Sequence, residues 1–120
     1  MRHHNKNRKF GRKKNVRQAL IRSLAISLIR YGRITTTEAK AKELRPFIEK
    51  LVTKARVAGD NLSVRRSIIS NLINRNEETK KLIQEIAPKY KDRNGGYTRI
   101  LKLPQRQGDA ARMAFIEFVD

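Results

Sequence analysis

Apolar residues recur every four positions between residues 16 and 31. With their apolar neighbours they form the broad stripe of a helix that packs into a core. The stripe consists of Val16, Leu20, Ile21, Leu24, Ala25, Ile26, Leu28 and Ile29. We expect Asn15 to cap this helix and Gly32 to take the left-handed turn that ends it.

A second helical stripe runs from Glu38 to about Val57, after a short β-prone segment at residues 33–37. The threonines before it are suitable N-caps. Thr35 has capping-box spacing to Glu38, although either of the two following threonines also fits. Pro46 lies inside the pattern and lacks a backbone donor, so we expect a kink or a short break at that point.

Helical patterns continue as far as Pro88. Residues 62–73 predict a third helix, with its apolar residues on one side. Asn76 is expected to cap a short fourth helix over residues 77–87. Pro88 should stop that helix.

Residues 97–103 and 113–119 are strands by composition, joined by a long hairpin connection. Two strands alone are marginally stable, so this pair requires the segment around Ile34 as a third strand, or helices on one face. The sequence therefore predicts an α+β fold in which helices pack on a small mixed sheet of about three strands.

The first seventeen residues carry eight cations and no acid. Their only sizeable apolar side chains are Met1, Phe10 and Val16. Such a segment cannot bury enough apolar surface to offset the entropy of ordering its backbone. We therefore expect a basic arm over residues 1–15 that is disordered when free, followed by a single globular domain over residues 16–120.

Positive charge extends beyond the arm. The 120 residues carry 29 Lys and Arg against 11 Asp and Glu, a formal net charge of +18. Residues 1–37 hold eleven cations and no acid, and the remaining 83 residues hold eighteen cations and eleven acids. A nucleic acid, an anionic membrane and an acidic protein are the candidate partners, and basic charge on both arm and domain favours nucleic acid.

The long basic arm favours RNA over DNA. The sequence contains no evident recognition helix, zinc finger or basic region running into heptads. An arm of this kind suits irregular, folded RNA, because it can thread between RNA helices and neutralise phosphates that crowd together.

Residues that carry catalytic or metal chemistry are scarce. The chain has no cysteine, and its two histidines, His3 and His4, are adjacent in the arm with no carboxylate nearby. No plausible nucleophile–base pair is present. No apolar run approaches the ~20 residues of a membrane span. We therefore predict no enzyme activity, metal, cofactor, small-molecule substrate or membrane contact.

Gly95-Gly96 and two tyrosines mark the stretch before the first strand of the hairpin. The glycine pair opens no helix and lacks a following Lys-Ser/Thr, so it is not a nucleotide-binding loop. It is expected to allow a tight turn or a close approach to a phosphate. Tyr90 and Tyr97 either stack on unpaired bases or pack in the core.

Several short motifs resemble those of the bacterial large-subunit ribosomal protein family numbered seventeen. They are Met1-Arg2-His3, Gly32-Arg33-Ile34-Thr35-Thr36-Thr37, Lys40-Ala41-Lys42-Glu43-Leu44-Arg45, Glu85-Ile86-Ala87-Pro88, Gly95-Gly96-Tyr97-Thr98-Arg99-Ile100-Leu101-Lys102, Gly108-Asp109-Ala110 and Met113-Ala114-Phe115-Ile116-Glu117. They occur in family order over essentially the whole chain. The departures are local: Val16 takes a position that is often His, and Arg112 one that is often Pro.

The resemblance implies a non-enzymatic structural constituent of the large ribosomal subunit. It would bind 23S-type rRNA on the solvent side, near the polypeptide exit tunnel and beside other large-subunit proteins, in the cytoplasm. The expected RNA-binding residues in the arm and at the start of the first helix are Arg2, His3, Lys6, Arg8, Lys9, Arg12, Lys13, Lys14 and Arg17. Those on the domain are Arg22, Arg33, Lys40, Lys42, Arg45, Arg93, Tyr97, Arg99 and Lys102.

Other classes of protein fit less well. A DNA- or RNA-binding protein outside the ribosome matches the charge but not the family motifs. An organellar transit peptide shares the Arg-rich, acid-free start, but the arm lacks serine and an amphipathic period. A hydrolase or transferase would need a catalytic group that the sequence does not offer.

Overall fold

The computed structural model describes residues 3–120. Its helices and strands are α1 Lys14–Tyr31, β1 Arg33–Thr37, α2 Glu38–Ala58, α3 Leu62–Asn71, α4 Asn76–Lys81, β2 Thr98–Lys102 and β3 Met113–Phe118. After α4 the chain continues as a π-helical turn, Leu82–Ile86, and a 3₁₀ turn, Ala87–Tyr90. No helix in this described part of the chain is both long and apolar enough to span a bilayer.

Helix α1 ends as predicted but begins differently. Gly32 has a φ of 77°, and its N–H donates to the Leu28 carbonyl at 2.7 Å. The expected Asn15 cap is wrong, because α1 already begins at Lys14, and the Lys13 carbonyl accepts from the Arg17 N–H at 2.9 Å. The Asn15 side chain instead accepts from the Val16 N–H, inside the first turn.

Helix α2 runs without a break through Pro46. The expected short break is wrong: Pro46 is exposed, while a buried stripe on either side of it holds both halves of the helix against the core. That stripe consists of Ala41, Leu44, Ile48, Leu51, Val52, Ala55 and Ala58. Thr37 is the N-cap, and its side chain accepts from the Lys40 N–H at 3.4 Å.

The fourth helix departs from its prediction at both ends. Asn76 is its first residue instead of its cap, and Arg75 precedes it without a side-chain cap. The helical path also continues past the predicted stop, since Pro88 lies in the first turn of the 3₁₀ segment. Proline is tolerated in the first turn of a helical segment, and the change from the π-helical to the 3₁₀ pattern occurs at Ala87, the residue before it.

The three strands form one antiparallel sheet in the order β1-β3-β2. The segment around Ile34 is thus the third strand, as predicted, but the sheet is antiparallel throughout instead of mixed. Ile34 and Ile100 lie on either side of Ile116 in the strand register. This face of the sheet packs on the core with the helices, so the predicted α+β fold is confirmed.

The core contains fully buried side chains from three helices, the π-helical turn and the central strand of the sheet. Leu28, Leu44, Ile68, Leu82 and Ile116 come from α1, α2, α3, the π-helical turn and β3. Burying such a side chain stabilises the fold by roughly 1.5–3 kcal/mol. The core therefore fixes α1 and α2 side by side, and these two helices form the base on which the N-terminal arm lies.

Candidate nucleic-acid interface

The arm reverses direction just before α1. Lys9 and Arg12 are the ends of a tight turn in which the Arg12 N–H donates to the Lys9 carbonyl at 3.0 Å. The two central residues, Phe10 and Gly11, have φ values of 53° and 62°. A positive φ suits glycine but is uncommon for phenylalanine, so this turn sets the position of the Phe10 ring at some conformational cost.

Arg8 attaches the arm to the first turns of α2. Its backbone N–H donates to the Glu43 carboxylate at 3.4 Å, and its guanidinium donates to the Ala39 carbonyl at 3.2 Å. Both contacts lie on the surface, where water competes for each group. They bias the arm toward α2 without fixing it. The disorder expected of the free arm, and the division into an arm and a single domain, stay predictions.

A cleft of about 420 Å³ lies between the arm, α1 and α2. We call it the arm cleft, and its charged and aromatic lining consists of Arg8, Phe10, Arg17, Arg22, Glu43, Phe47 and Lys50. Four cations face one carboxylate, so the formal charge of the lining is +3. The cleft thus combines positive charge with aromatic surface.

Helical spacing explains how α2 contributes to the arm cleft. Glu43, Pro46, Phe47 and Lys50 follow one another at i, i+3, i+4 and i+7, which places them on one face of the helix. Lys50 was absent from the predicted set, although this spacing relative to Glu43 was a signal that could have found it. Phe47 belongs to the apolar stripe predicted from Glu38 to about Val57, and it packs partly against the core as well as lining the cleft.

Most of the predicted cations in the arm and α1 have side chains with no hydrogen bond or ion pair to another residue of the described range 3–120. These are Lys6, Lys9, Lys13, Lys14, Arg17 and Arg22, and Lys40 on α2 shares the property. Arg12 differs, because its guanidinium donates to the Phe10 carbonyl at 2.7 Å. The arm and α1 therefore carry positive charge that the fold itself does not neutralise.

The predicted cations of the sheet are paired. Arg33 and Arg99 both donate to the buried Glu117 carboxylate, which lies between them in the register. Hydrogen bonds from Arg33 first, and Arg99 second, lower the pKa of Glu117. One positive charge remains in excess, and both guanidinium side chains stay about half exposed, at 54% and 52%.

Glu38, at the start of α2, forms ion pairs with two more of the predicted cations. Lys42 approaches its carboxylate at 2.9 Å and Lys102 at 3.8 Å, and the hydrogen bond from Lys42 is the main cause of the lowered pKa of Glu38. Two further predicted residues have local partners. Arg45 pairs with Glu49, and Arg93 donates to a carbonyl of its own loop.

Tyr97 is a core residue, which favours packing over RNA binding as its role, and the RNA contact stays a prediction. Its ring is fully buried, 5.1 Å from that of Tyr90. Its hydroxyl accepts from the Arg56 guanidinium at 2.9 Å and shares a hydrogen bond with Thr53 at 3.1 Å. Tyr90 is also buried, and its hydroxyl donates to the Val119 carbonyl. Both rings are closed to solvent, so the structure supports packing as the role of both.

The remaining candidates are at the start of the arm. His3 and His4 are exposed, and Arg2 lies outside the described residues. Within residues 3–120 there is no group of three or more His, Cys, Asp or Glu side chains arranged to hold a metal ion.

Fold and surface together define a class of protein: a small basic α+β protein whose arm and first helix present cations that the fold leaves unpaired. The family model for ribosomal protein L17 matches residues 20–119. The large ribosomal subunit protein bL17 of Campylobacter jejuni subsp. doylei is 53% identical over 119 residues, covering 99% of both chains. That of Sulfurimonas denitrificans is 52% identical over 119 residues, covering 99% of this chain and all of the relative.

The chain belongs to the ribosomal protein L17 family. The resemblance read from its motifs is therefore confirmed. The relatives are named as proteins of the large ribosomal subunit, which are structural components and not enzymes. The family model begins at residue 20, but the pairwise similarity covers nearly the whole chain and so includes most of the arm.

Proposed function

We propose that the protein is a structural component of the large ribosomal subunit that binds 23S-type rRNA. The arm and the adjoining face of α1 make the principal contacts, and the cations of the sheet and of α2 make secondary ones. In this proposal the protein stabilises the folded rRNA near the polypeptide exit tunnel, beside other large-subunit proteins, in the bacterial cytoplasm.

One observation carries the proposal: the unpaired cations are concentrated where acids are absent. Residues 1–37 contain no Asp or Glu, so the arm and α1 have no acid of their own to balance their charge. A polyanion supplies the missing charge, and neutralising its phosphates releases condensed counterions. The family supports rRNA as that polyanion.

The sheet adds a weaker contact surface. Arg33 and Arg99 are held by Glu117, which fixes their directions while half of each side chain stays open to solvent. The arginine pair exceeds the carboxylate by one charge, so the site still attracts phosphate. We expect these contacts to orient the domain on rRNA more than to supply affinity.

Two matched triple variants of the full chain test the proposal. The first replaces Lys6, Lys9 and Lys13 in the arm by Gln. The second replaces three exposed lysines far along the chain, Lys80, Lys89 and Lys91, by Gln, and so removes the same charge. Affinity for protein-free large-subunit rRNA is measured by filter binding at fixed salt. The arm variant should bind at least about tenfold more weakly, and the control should change little.

Equal losses in the two variants would contradict an arm-directed interface. Sedimentation in high-magnesium buffer then tests the ribosomal assignment. The full-length protein should sediment with large subunits. Recovery in the free fraction, with nucleic-acid binding retained, would indicate a protein that acts outside the ribosome.

A further inference from the structure

The arm cleft combines two chemistries that phosphate binding alone does not require. Arg17, Arg22 and Lys50 supply positive charge, while Phe10 and Phe47 supply flat apolar surface in the same cavity. RNA-binding proteins use aromatic side chains to stack on bases that have left the helical stack. We infer that the arm cleft holds one unpaired nucleotide of rRNA, with its base against the two phenylalanines and its phosphate near these three cations.

The dimensions of the cleft fit a single nucleotide. Its volume of about 420 Å³ lies in the range of pockets that enclose small ligands. A regular duplex offers no free base face, because its bases are stacked and paired inside. The occupant is therefore a bulged, looped or terminal nucleotide whose base has been turned outward.

Within the described residues, the absence of ion pairs at the cations of the cleft also agrees with a nucleotide as the occupant. The side chains of Arg17, Arg22 and Lys50 make no ion pair with any residue in the described part of the chain. The one carboxylate of the lining, Glu43, already accepts from the Arg8 backbone N–H. An incoming phosphate thus meets three unengaged cations, whereas the acid serves to hold the arm.

The arm cleft is complete only when the arm lies against α2. Phe10 belongs to the arm and Phe47 to α2, so the two rings line one cleft only while the arm lies against α2, where Arg8 contacts that helix. A nucleotide that contacts both rings adds to that attachment. Binding of the nucleotide and docking of the arm therefore stabilise each other.

An acidic peptide from a neighbouring protein is the competing occupant. It would match the charge of the cleft, but it would not use the cations that continue on both sides of it. The acid-free segment runs through the cleft, from the arm along α1, and presents unpaired cations before and after it. A continuous polyanion matches such a path along its length, and this favours RNA.

The inference rests on the proposed function, and chemical probing separates the failure of one from the failure of the other. Full-length protein is bound to protein-free large-subunit rRNA, which is then probed with hydroxyl radicals for its backbone and with dimethyl sulfate for its bases. Phe10→Ala is compared with Val16→Ala, which shortens an exposed apolar side chain outside the cleft. Phe10→Ala should weaken binding roughly tenfold or more, and at saturating protein it should alter dimethyl sulfate reactivity at one nucleotide within an unchanged backbone footprint.

If Phe10→Ala and Val16→Ala give the same base reactivities, the inference is overturned while the proposed function stands. If the wild-type protein leaves no footprint at all, the proposed function fails as well. Neither variant removes a core residue, so loss of folding does not complicate the comparison.

Photocrosslinking in reconstituted large subunits identifies the occupant directly. Benzoylphenylalanine replaces either Gln18, which lines the cleft, or its neighbour Ala19, which is exposed on α1 but does not line it. The probe at position 18 should crosslink to a single rRNA nucleotide, and the probe at position 19 should not crosslink to that nucleotide. A crosslink from position 18 to a protein, or to scattered nucleotides, would overturn the inference.

Discussion

Arg33 and Glu117 lie directly opposite each other across the β1–β3 pairing, and the Arg33 guanidinium donates to the carboxylate at 2.8 Å. Arg99 donates to the same carboxylate from β2 on the other side, also at 2.8 Å. One acid thus links all three strands on the face of the sheet that the helices leave open. The carboxylate therefore holds both guanidinium groups in fixed orientations at the surface.

We predict that these ion pairs contribute stability that is lost in acid. The lowered pKa of Glu117 means that its contribution is complete above the ordinary carboxyl pKa of about 4.3, and disappears as the pH falls through the lower value of the folded state. The thermal midpoint of the wild type should therefore fall more steeply below about pH 4 than that of Glu117→Gln. Glu77→Gln removes an exposed carboxylate and should keep the steep dependence. Parallel curves for wild type and Glu117→Gln would contradict the prediction.

The burial of Tyr97 leads to a prediction that separates packing from RNA binding. Tyr97→Phe removes the hydroxyl that joins Arg56 to Thr53 and should lower the free energy of unfolding by about 1 kcal/mol. Tyr97→Ala should cost about 3–5 kcal/mol, because it empties a fully buried site. Urea unfolding measures both values. The rRNA affinity of Tyr97→Phe should equal that of the wild type, and weaker binding with unchanged stability would show that the ring acts on RNA.

Gly32 offers a test of the turn between α1 and β1. Its φ of 77° is disfavoured for residues with a side chain, and an added Cβ would have nothing within 4 Å to collide with. Gly32→Ala should therefore cost about 1–2 kcal/mol through backbone conformation alone. Gly32→Asn should cost less, because asparagine tolerates the left-handed region better. Equal losses for Ala and Asn in urea unfolding would point to packing instead of backbone conformation.

The local pattern of apolar and polar residues was sufficient to predict which helices and strands form. The four-residue period of α1 and the glycine after it set the end of that helix, and the β-prone residues around Ile34 became the third strand. Helix starts were less predictable: α1 begins at Lys14 because the Lys13 carbonyl already accepts from Arg17, which moves Asn15 inside the helix. Side-chain capping preference competes with such extensions of the helix and does not decide the outcome alone.

The same local pattern does not predict contacts between residues that are far apart in the sequence. Arg33 and Glu117 are 84 residues apart, and only the strand register brings them together. Tyr97 resembles a base-stacking residue when the sequence is read locally, but α2 and Tyr90 cover its ring. The arm cleft has the same origin, because it requires the core to place α1 beside α2 before Phe10 and Lys50 can line one cavity.

The concentration of cations in the arm predicts a steep salt dependence of rRNA binding. Each phosphate contact should lower log K by about 0.7–0.9 per log unit of salt. Replacing Lys6, Lys9 and Lys13 by Gln should therefore reduce the slope by about 2, whereas the matched replacement of Lys80, Lys89 and Lys91 should leave it unchanged. Titrations of binding at salt concentrations from about 50 to about 300 mM measure the slope. A slope common to wild type and arm variant would remove the arm from the electrostatic interface.

The contact between Arg8 and Glu43 predicts how firmly the arm is held in the free protein. Its hydrogen bond is long, at 3.4 Å, and exposed, so it contributes about 0.5–1 kcal/mol. Glu43→Ala removes the acceptor, and Glu43→Gln keeps an oxygen at the same place. Brief trypsin digestion, with fragments identified by mass spectrometry, should show cleavage in the arm about two- to fivefold faster for Glu43→Ala than for the wild type. The Gln variant should resemble the wild type, because its amide oxygen still accepts from the Arg8 N–H. If all three proteins lose the arm at one rate, Glu43 does not hold it, and the contact of Arg8 with the Ala39 carbonyl is the remaining attachment of the arm to α2.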